Sequence, residues 1–390
     1  MKSIKVVHVI SGIDRADGGP TTALVGLTGA LARLRMKVTV VATPRSPASL
    51  STMEELRGCG VQVRTVNYRR MAFGHNAKLR EVLVEEIASA DVVHIHALWE
   101  EVQYQATRIA RHFKRPYIVR PCGLLDPWSM AQNRLKKRLY LELRLRRNLN
   151  AAAAIHYTTA LEEKRTRALG IQAPTIIEPN GIDFDDLDHL PPPGSFRQRW
   201  KIPEAAPLVL FLGRLHPKKG LDLLIPAFAD GAPPDAVLVI VGTGDSSYEK
   251  QLRRVAKSFG LENRAKFVEF LHGRDRLAAF ADSTVFVLPS YSENFANTVI
   301  ESLVAGTPVI VSDQVGLHAE IASSKVGGVV PTTVEALTRE IRSWLVDASR
   351  REVAVVNARN FLEPYDLKKI AARWLHRYRQ LAQHVDGVAA

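Results

Sequence analysis

The stretch Leu288–Ser312, LPSYSENFANTVIESLVAGTPVIVS, decides the fold of this chain. It follows the apolar run Val285–Leu288, which is typical of a buried strand, and Pro289 ends that strand because proline cannot donate to a ladder. Apolar residues then recur at helical spacing, in Val299, Ile300, Leu303 and Val304. They predict a helix that begins near Ser292 and leads into a second buried strand, Val309–Val311. A strand, a helix and a strand in this order favour a parallel, doubly wound α/β sheet.

Two carboxylates of this stretch suggest a ligand site. On the predicted helix, Glu293 lies at the start and Glu301 lies eight residues later, which places them roughly 80° apart around the axis. The free N–H groups of residues 294–297 would lie between them, at the positive end of the helix. Such an arrangement fits a polyhydroxyl group attached to a phosphate. A capped surface helix with two solvated glutamates is the simpler alternative, and it remains open for Glu301.

A second motif carries positive charge. The predicted strand Leu208–Leu212 runs into Gly213–Gly220, GRLHPKKG, and then into another predicted helix. Cations at the carboxyl end of a strand and beside a helix N-terminus match a diphosphate. Arg214 can bind two oxygens with its planar fork, whereas Lys219 acts as a compact point charge.

Together, GRxxxxKG and the two glutamates with seven residues between them resemble motifs of a known enzyme family. They are similar to the retaining glycosyltransferases of the GT-B fold, in the fourth glycosyltransferase family (group 1 glycosyl transferases). The glutamates stand here in the setting PSxSENFxNxxxESLxxGxPVI. The resemblance covers nearly the whole chain and implies two doubly wound Rossmann-like domains that face each other across a cleft.

Turn clusters place the domain boundary. Residues 179–183, PNGID, resemble the family's interdomain junction, and residues 191–194, PPPG, form the only proline run. The expected division is an acceptor-binding domain over 1–180 and a nucleotide-sugar-binding domain over 181–365. The last segment, 366–390, is expected to be a helix that crosses back to the first domain, although a plain C-terminal core helix is equally compatible with its apolar residues.

The resemblance also implies roles for residues of the second domain. Arg214 and Lys219 would stabilise the departing diphosphate, and Glu293 would hold hydroxyls of the transferred sugar. Side chains and backbone around Asn297 and Thr298 would help to bind the sugar and the phosphate.

Three more positions would complete the donor site. Glu301 would bind the ribose hydroxyls. Gly242 lies in VGTGD, a strand-to-helix loop of the kind that approaches a nucleotide, although a simple glycine turn explains it equally well. Gly19, in the first-domain sequence GGP at a predicted helix start, would cap the donor diphosphate.

The acceptor-side candidates lie at the ends of predicted first-domain strands. His94 and His96 point to the same side of a strand, as a metal pair would, but the sequence offers no third ligand nearby. We therefore expect His96 to have a structural or acceptor-binding role. Many members of the family carry a histidine near the position of Cys122, and this departure leaves two roles open for the thiol: a small filler beside Arg120, or catalysis, which we do not favour.

A basic amphipathic helix is predicted over Asn133–Asn150. Its leucines recur every four residues, and seven cations stand against a single glutamate, Glu142. This pattern is typical of a contact surface for an anionic membrane or acceptor, or of a solvated face anchored by its leucines. Nucleic acid binding is disfavoured because aromatic residues are not interleaved with the charges and no recognisable module is present.

Composition restricts the remaining choices. A length of 390 residues favours two domains, and a net charge of +13 points to an anionic partner. Two isolated cysteines suit a reducing compartment, and neither a membrane span nor a signal peptide is visible. We therefore expect a cytoplasmic location, including the inner face of the cell membrane.

The resemblance thus implies a retaining hexosyltransferase. We expect it to need no metal or cofactor, because two cations already neutralise the diphosphate. It would move a sugar from a UDP-sugar or GDP-sugar to a hydroxyl acceptor, including a lipid-linked one, in surface polysaccharide or glycolipid assembly. Two alternatives stay open: a nucleotide-sugar epimerase with the same fold, and a non-catalytic nucleotide-binding scaffold.

Overall fold

A computed structural model describes residues 3–14, 18–44, 46–66, 76–184 and 190–386 of the chain. It divides into two compact units. Unit 1 comprises Met1–Gly181 and Asp366–Ala390, and unit 2 comprises Ile182–Tyr365.

Unit 1 contains seven strands and nine helices among the described residues. The strands are β1 (Lys5–Ile10), β2 (Lys37–Ala42), β3 (Gln62–Thr65), β4 (Val92–His96), β5 (Tyr117–Arg120), β6 (Ala154–Tyr157) and β7 (Thr175–Ile177). The helices are α1 (Gly19–Arg33), α2 (Ser49–Gly58), α3 (Ala77–Ala88), α4 (Glu101–His112), α5 (Pro127–Ala131), α6 (Arg134–Tyr140), α7 (Arg146–Asn150), α8 (Ala160–Thr166) and α17 (Leu367–Asp386). A π-helical turn, Leu141–Leu145, joins α6 to α7, and a 3-10 turn, Arg167–Leu169, follows α8.

Unit 2 repeats the alternation over the part of it that the structure describes. Its strands are β8 (Leu208–Leu212), β9 (Val237–Val241), β10 (Ala265–Val268), β11 (Val285–Leu288), β12 (Val309–Ser312) and β13 (Gly327–Val330). Its helices are α9 (Ser195–Arg199), α10 (Leu221–Gly231), α11 (Ser246–Ser258), α12 (Gly273–Ala281), α13 (Asn297–Val304), α14 (His318–Ser324), α15 (Val334–Val346) and α16 (Ala348–Leu362), with 3-10 turns at Pro217–Lys219 and Glu363–Tyr365.

Both sheets are parallel and doubly wound, as the sequence predicts. The strand order is β3-β2-β1-β4-β5-β6-β7 in unit 1 and β10-β9-β8-β11-β12-β13 in unit 2. In each sheet the order reverses beside the first strand, so the loops after β1 and β4, and those after β8 and β11, flank a topological switch point. Ligands of such sheets bind at the carboxyl ends of the strands around this point.

The central strands are apolar throughout because both of their faces are covered. Every residue of β8, β9 and β11 is buried, which is the pattern of a parallel strand between two helix layers. β13 is the strand that the sequence does not predict, since it begins with two glycines. Packing favours both glycines, because a Cβ on Gly327 would lie 2.3 Å from the Val309 carbonyl oxygen and one on Gly328 would lie 2.8 Å from Nε1 of the buried Trp344.

The C-terminal helix α17 belongs to unit 1. Ile370, Trp374 and Tyr378 are at most 1% exposed in a core shared with β1, β2 and α1. The buried carboxylate of Glu178, which follows β7, binds the guanidinium groups of Arg373 at 2.7 Å and Arg377 at 3.1 Å. Among the described residues, no helix is both long and apolar enough to cross a membrane.

Candidate active site

Four loops at the carboxyl edge of the unit 2 sheet contact one another. The loop after β8 pairs with the loop after β9 through a bridge between Leu215 and Gly244. The loop after β11 joins the first loop, because the Tyr291 N–H donates to the Lys218 carbonyl at 2.8 Å. It also pairs with the loop after β12 through a bridge between Glu293 and Val315. These contacts bring the two sequence motifs together.

The helix after β11 begins at Asn297, so the prediction of a start near Ser292 is wrong. The backbone of Glu293 is committed to the neighbouring loop, since its N–H donates to the Gln314 carbonyl at 3.2 Å and its carbonyl accepts from the Gly316 N–H at 2.9 Å. Ala296 then takes a left-handed conformation (φ 67°) before α13 begins. Glu293 is therefore a loop residue, and its predicted angle to Glu301 around one helix axis does not apply.

Glu293 and Lys219 form a mostly buried ion pair, with side chains 15% and 18% exposed. Burial alone would raise the pKa of the Glu293 carboxyl. The positive charges of Lys219, Lys218 and Arg214 outweigh that effect and hold its pKa below the ordinary value. The loop after β8 therefore keeps this carboxylate ionised at neutral pH, with a lysine in contact with it.

Arg214 lies exposed at the carboxyl end of β8 and, among the described residues, has no salt bridge. The adjacent Gly213 N–H donates to the Val241 carbonyl at 3.0 Å, which fixes the backbone on which Arg214 is carried. Its guanidinium is thus a cation held beside Glu293 and Lys219 without a carboxylate of its own. An anionic ligand is the partner that such a group can take.

Glu301, on α13, is ion-paired with Arg276 of α12, and the two side chains are 15% and 23% exposed. The alternative of a freely solvated surface glutamate therefore does not describe Glu301. The sequence reasoning did not identify Arg276, and no signal in the sequence relates it to a glutamate 25 residues later. Asn297 and Thr298 form the first turn of α13 and are half-buried.

Two glycines of these loops are required by packing within the protein. Gly242 has φ 141°, and a Cβ there would lie 1.9 Å from the Gly213 carbonyl oxygen. Gly220 has φ +71°, and its Cβ would lie 2.1 Å from the Pro289 carbonyl oxygen. The contacts explain Gly242 as a loop-packing residue whether or not a nucleotide approaches it.

In unit 1, Gly19 is the first residue of α1 and follows Gly18, whose φ is 91°. Pro20 occupies the first helical turn, as the sequence predicts. Part of the preceding loop lies outside the described residues.

Arg120 and Cys122 lie at the carboxyl end of β5. Arg120 is 3% exposed and donates to Oδ1 of Asn180 at 2.5 Å, so it links β5 to the turn after β7. Cys122 has φ 56°, and burial raises the pKa of its thiol. A neutral thiol is a weak nucleophile, which favours the filler role over catalysis.

Glu162, which the sequence reasoning did not identify, holds the loop that contains Cys122. Its buried carboxylate accepts from the Gly123 N–H at 2.7 Å and from the Thr158 N–H and hydroxyl at 2.8 and 3.1 Å. Burial raises the pKa of this carboxyl, although the hydrogen bonds from Gly123 and Thr158 act to lower it. The carboxylate therefore acts as a positioning group for the loop.

His96 belongs to a fully buried cluster of four histidines, with His8, His94 and His156. Burial lowers the pKa of each, for His8 to about 3, so all four imidazoles are neutral. His156 Nε2 must donate to the Glu178 carbonyl at 2.8 Å, so its Nδ1 accepts from His94 Nε2 at 3.2 Å. His94 Nδ1 in turn accepts from the Tyr378 hydroxyl at 2.7 Å. One directed chain of hydrogen bonds thus connects α17 to the sheet.

The structure brings a third histidine, His8, next to His94 and His96. The sequence did not indicate it as a third metal ligand. One ligand atom from each of His8, His94 and His96 lies within 4.8 Å of the others. His94, however, already uses both ring nitrogens, toward Tyr378 and His156. Metal binding by His94 would break one of those bonds, so the arrangement fits a structural hydrogen-bond network better than a metal centre.

The histidine cluster should make unit 1 sensitive to acid. The pKa of each imidazole is lowered by folding, so the unfolded chain binds more protons below about pH 6.5, and stability must fall as pH decreases. Between pH 7.5 and 5.5 the expected loss is about 1.4 kcal/mol per buried histidine. Urea unfolding at several pH values measures it, followed by amide hydrogen exchange of the unit 1 strands, because the chain has five tryptophans and their fluorescence would mix the two units.

The exposed His376 on the same helix provides a control, because a His376→Gln variant should keep the pH dependence. A free energy of unfolding for unit 1 that does not change between pH 7.5 and 5.5 would contradict the neutral network.

Two family models match the chain. The model described as "Glycosyl transferases group 1" matches residues 194–361, and the one described as "Glycosyl transferase 4-like domain" matches residues 18–181. Together they cover most of both units, and the first spans the four unit 2 loops of the candidate site.

Similar proteins include two mycobacterial enzymes. A phosphatidyl-myo-inositol mannosyltransferase of Mycobacterium leprae is 30% identical over 55% of this chain and 55% of its own length. A GDP-mannose-dependent α-(1-6)-phosphatidylinositol monomannoside mannosyltransferase of Mycolicibacterium smegmatis is 29% identical over 62% of this chain and 64% of its own. The chain thus spans about half to two thirds of the length of these relatives.

Among solved structures, Anabaena HepE in complex with UDP and glucose superposes with a TM-score of 0.81 at 20% identity, covering 97% of this chain and 100% of that one. This similarity shows that the two units have the GT-B fold.

Proposed function

Because the chain belongs to the group 1 glycosyltransferases, we propose that it transfers a sugar from a nucleoside diphosphate sugar to a hydroxyl acceptor with retention of the anomeric configuration. The observation that carries the proposal is the exposed Arg214 beside the Lys219–Glu293 ion pair, at the switch point of the unit 2 sheet. This is a cationic site next to a carboxylate that can accept hydrogen bonds from hydroxyl groups.

Arg214 and Lys219 would act on the leaving group. Negative charge develops on the diphosphate as the glycosidic bond breaks, and fixed cations stabilise that charge without reorganisation. Arg214 would bind two phosphate oxygens with its fork, while Lys219 would exchange part of its contact with Glu293 for a contact with the diphosphate. Two cations at this position are the basis for proposing that no metal ion is required.

Glu293 would orient the transferred sugar by accepting hydrogen bonds from its hydroxyl groups, and its lowered pKa keeps it an acceptor at neutral pH. Glu301 would accept hydrogen bonds from the ribose hydroxyls. Its carboxylate would then bind both the ribose and Arg276. Asn297 and Thr298, in the first turn of α13, would add backbone N–H donors for phosphate oxygens. Gly242 would offer backbone close to the donor.

For the reaction path we propose a front-face mechanism. A double displacement needs a carboxylate about 3 to 3.5 Å from the anomeric carbon. Glu162, the buried carboxylate beside the loop after β5, is held by three hydrogen bonds to its own unit and is unsuited to that role. Retention would instead arise when the acceptor hydroxyl attacks from the side that the diphosphate leaves, with a diphosphate oxygen taking its proton.

The acceptor is proposed to be lipid-linked, in glycolipid or surface polysaccharide assembly at the cytoplasmic face of a membrane. The names of the mycobacterial relatives include phosphatidylinositol compounds, and a net charge of +13 suits an anionic acceptor. For the donor, the names support both UDP- and GDP-sugars, because HepE was solved with UDP and one relative depends on GDP-mannose.

Donor turnover tests the proposal. The purified chain would be incubated with UDP-glucose, UDP-galactose, UDP-N-acetylglucosamine or GDP-mannose, with and without soluble and lipid-linked sugar acceptors. We expect one donor to release its nucleoside diphosphate faster when an acceptor is present, and the product to keep the donor's anomeric configuration in its NMR couplings.

Each alternative has its own signature in that experiment. An inverted product would contradict retention. A new nucleotide sugar formed without an acceptor would identify an epimerase, and no turnover of any donor would support a binding scaffold.

A further inference from the structure

Three leucines of the segment Arg134–Asn150 project into solvent. The exposed fractions are 84% for Leu135, 62% for Leu139 and 75% for Leu143. Two other leucines of the segment, Leu141 and Leu145, are at most 3% exposed and belong to the unit 1 core. Leu141 and Leu145 therefore anchor the segment, and the alternative in which Leu135, Leu139 and Leu143 pack against the protein is wrong.

The exposed leucines lie on one side of the helical segment. Leu135 and Leu139 are about 40° apart around an α-helix. The turn that follows is π-helical over Leu141–Leu145, and its extra residue per turn reduces the further drift of Leu143. We call the side chains of Leu135, Leu139 and Leu143 the leucine stripe.

Unpaired cations accompany the leucine stripe. Arg134, Lys136 and Arg138 are exposed, and none of them forms a salt bridge with another described residue. The one carboxylate of the segment, Glu142, is neutralised by its ion pair with Arg146. The surface thus combines apolar side chains with positive charge that the protein itself does not balance.

A cationic groove adjoins the same segment. Its volume is about 690 Å³, and Arg144 contributes to its wall together with Arg80, Arg108 and His112. Its one carboxylate, Glu101, is ion-paired with Arg144 at 3.2 Å. The charge complementarity of the region therefore favours an anionic partner over an ordinary protein surface.

We propose that the leucine stripe and its flanking cations dock this protein on a bilayer that contains anionic phospholipids. The leucines would enter the boundary between headgroups and acyl chains, and Arg134, Lys136 and Arg138 would contact lipid phosphates. The inference extends the proposed function by naming the surface that would bring the enzyme to a lipid-linked acceptor.

Vesicle binding tests the docking without sugar transfer. The full chain would be sedimented with vesicles of phosphatidylcholine alone or with 30% phosphatidylglycerol. We expect binding only to the anionic vesicles. A Leu135→Gln/Leu139→Gln variant should bind about a hundredfold more weakly, because each inserted leucine contributes about tenfold. An Arg134→Gln/Lys136→Gln/Arg138→Gln variant should also lose about a hundredfold, since each cation contributes about fivefold.

Matched controls separate the surface from general charge and apolarity. Lys250→Gln/Arg254→Gln/Lys257→Gln removes three positive charges from exposed positions on α11 and should change vesicle binding little. Val346→Gln/Val356→Gln removes two exposed apolar side chains from unit 2, 75% and 69% exposed, and should also change it little.

Equal losses in the charge variant and its control would overturn the proposal, because attraction would then follow net charge. Binding that the leucine variant leaves unchanged would contradict insertion. Self-association that disappears in the leucine variant, measured by light scattering, would assign the stripe to a second copy of the chain. Donor turnover with a soluble acceptor should be unchanged in the leucine variant, so failure of docking and failure of the proposed transfer can be distinguished.

Discussion

Replacing Arg214 with alanine is expected to lower turnover by about a hundredfold or more, which is the scale of losing one donor to charge that develops in the transition state. The side chain is exposed, with no salt bridge to a described residue, so its removal should leave the fold intact. The loss should appear in kcat as well as in kcat/KM, because the diphosphate gains charge only as the bond breaks.

An Arg214→Lys variant should recover part of the rate, since it keeps the charge but loses the planar fork. Arg254→Ala, at an exposed position on α11, is a control that should keep full turnover. Steady-state kinetics on the active donor, with circular dichroism to verify folding, makes the comparison. Near-normal turnover in folded Arg214→Ala would mean that this arginine does not stabilise the leaving group.

The largest effect on nucleotide binding is expected from Lys219→Ala, and it should come with a loss of stability. The variant removes a cation from the diphosphate site and also leaves Glu293 mostly buried without its direct partner. We expect the affinity for the nucleoside diphosphate to fall about a hundredfold, as for a lost charged contact. The free energy of unfolding should fall by about 2–3 kcal/mol, less than the roughly 3–5 kcal/mol of a fully buried pair, because Lys218 and Arg214 still act on Glu293.

A double variant separates the two effects. In Lys219→Met/Glu293→Gln the buried charges are removed together, so most of the stability should return while nucleotide binding stays weak. Thermal unfolding and calorimetric titration of the same samples give both quantities. Restored nucleotide affinity in the double variant would show that Lys219 acts only by neutralising Glu293.

Much of the fold follows from the sequence because parallel strands buried on both faces must be apolar throughout. β8 and β11 are such runs, followed by Gly213 and Pro289, so the loops that carry Arg214 and Glu293 could be placed at strand ends. β13 was missed because its two glycines are dictated by neighbours that are distant in sequence.

The parts of the candidate site that could not be predicted depend on tertiary contacts. The start of α13 at Asn297 results from the pairing of Glu293 with the loop after β12. Arg276 reaches Glu301 from another helix, and the histidine network draws its members from β1, β4 and β6. The exposure of Leu135 depends on which side of the segment the core covers. Neither the hydrophobic periodicity nor the motifs of the sequence indicate these tertiary contacts.

Calorimetric titration of the wild-type chain with UDP, GDP and ADP tests the central claim most directly, because it asks whether unit 2 binds the leaving group of the proposed reaction. We predict that one of the three binds with a Kd below about 1 mM, within the ordinary range for substrates, and that the corresponding monophosphate binds more weakly. No binding of any of the three would contradict the account, since the loops around Arg214 and Lys219 would then not form a diphosphate site.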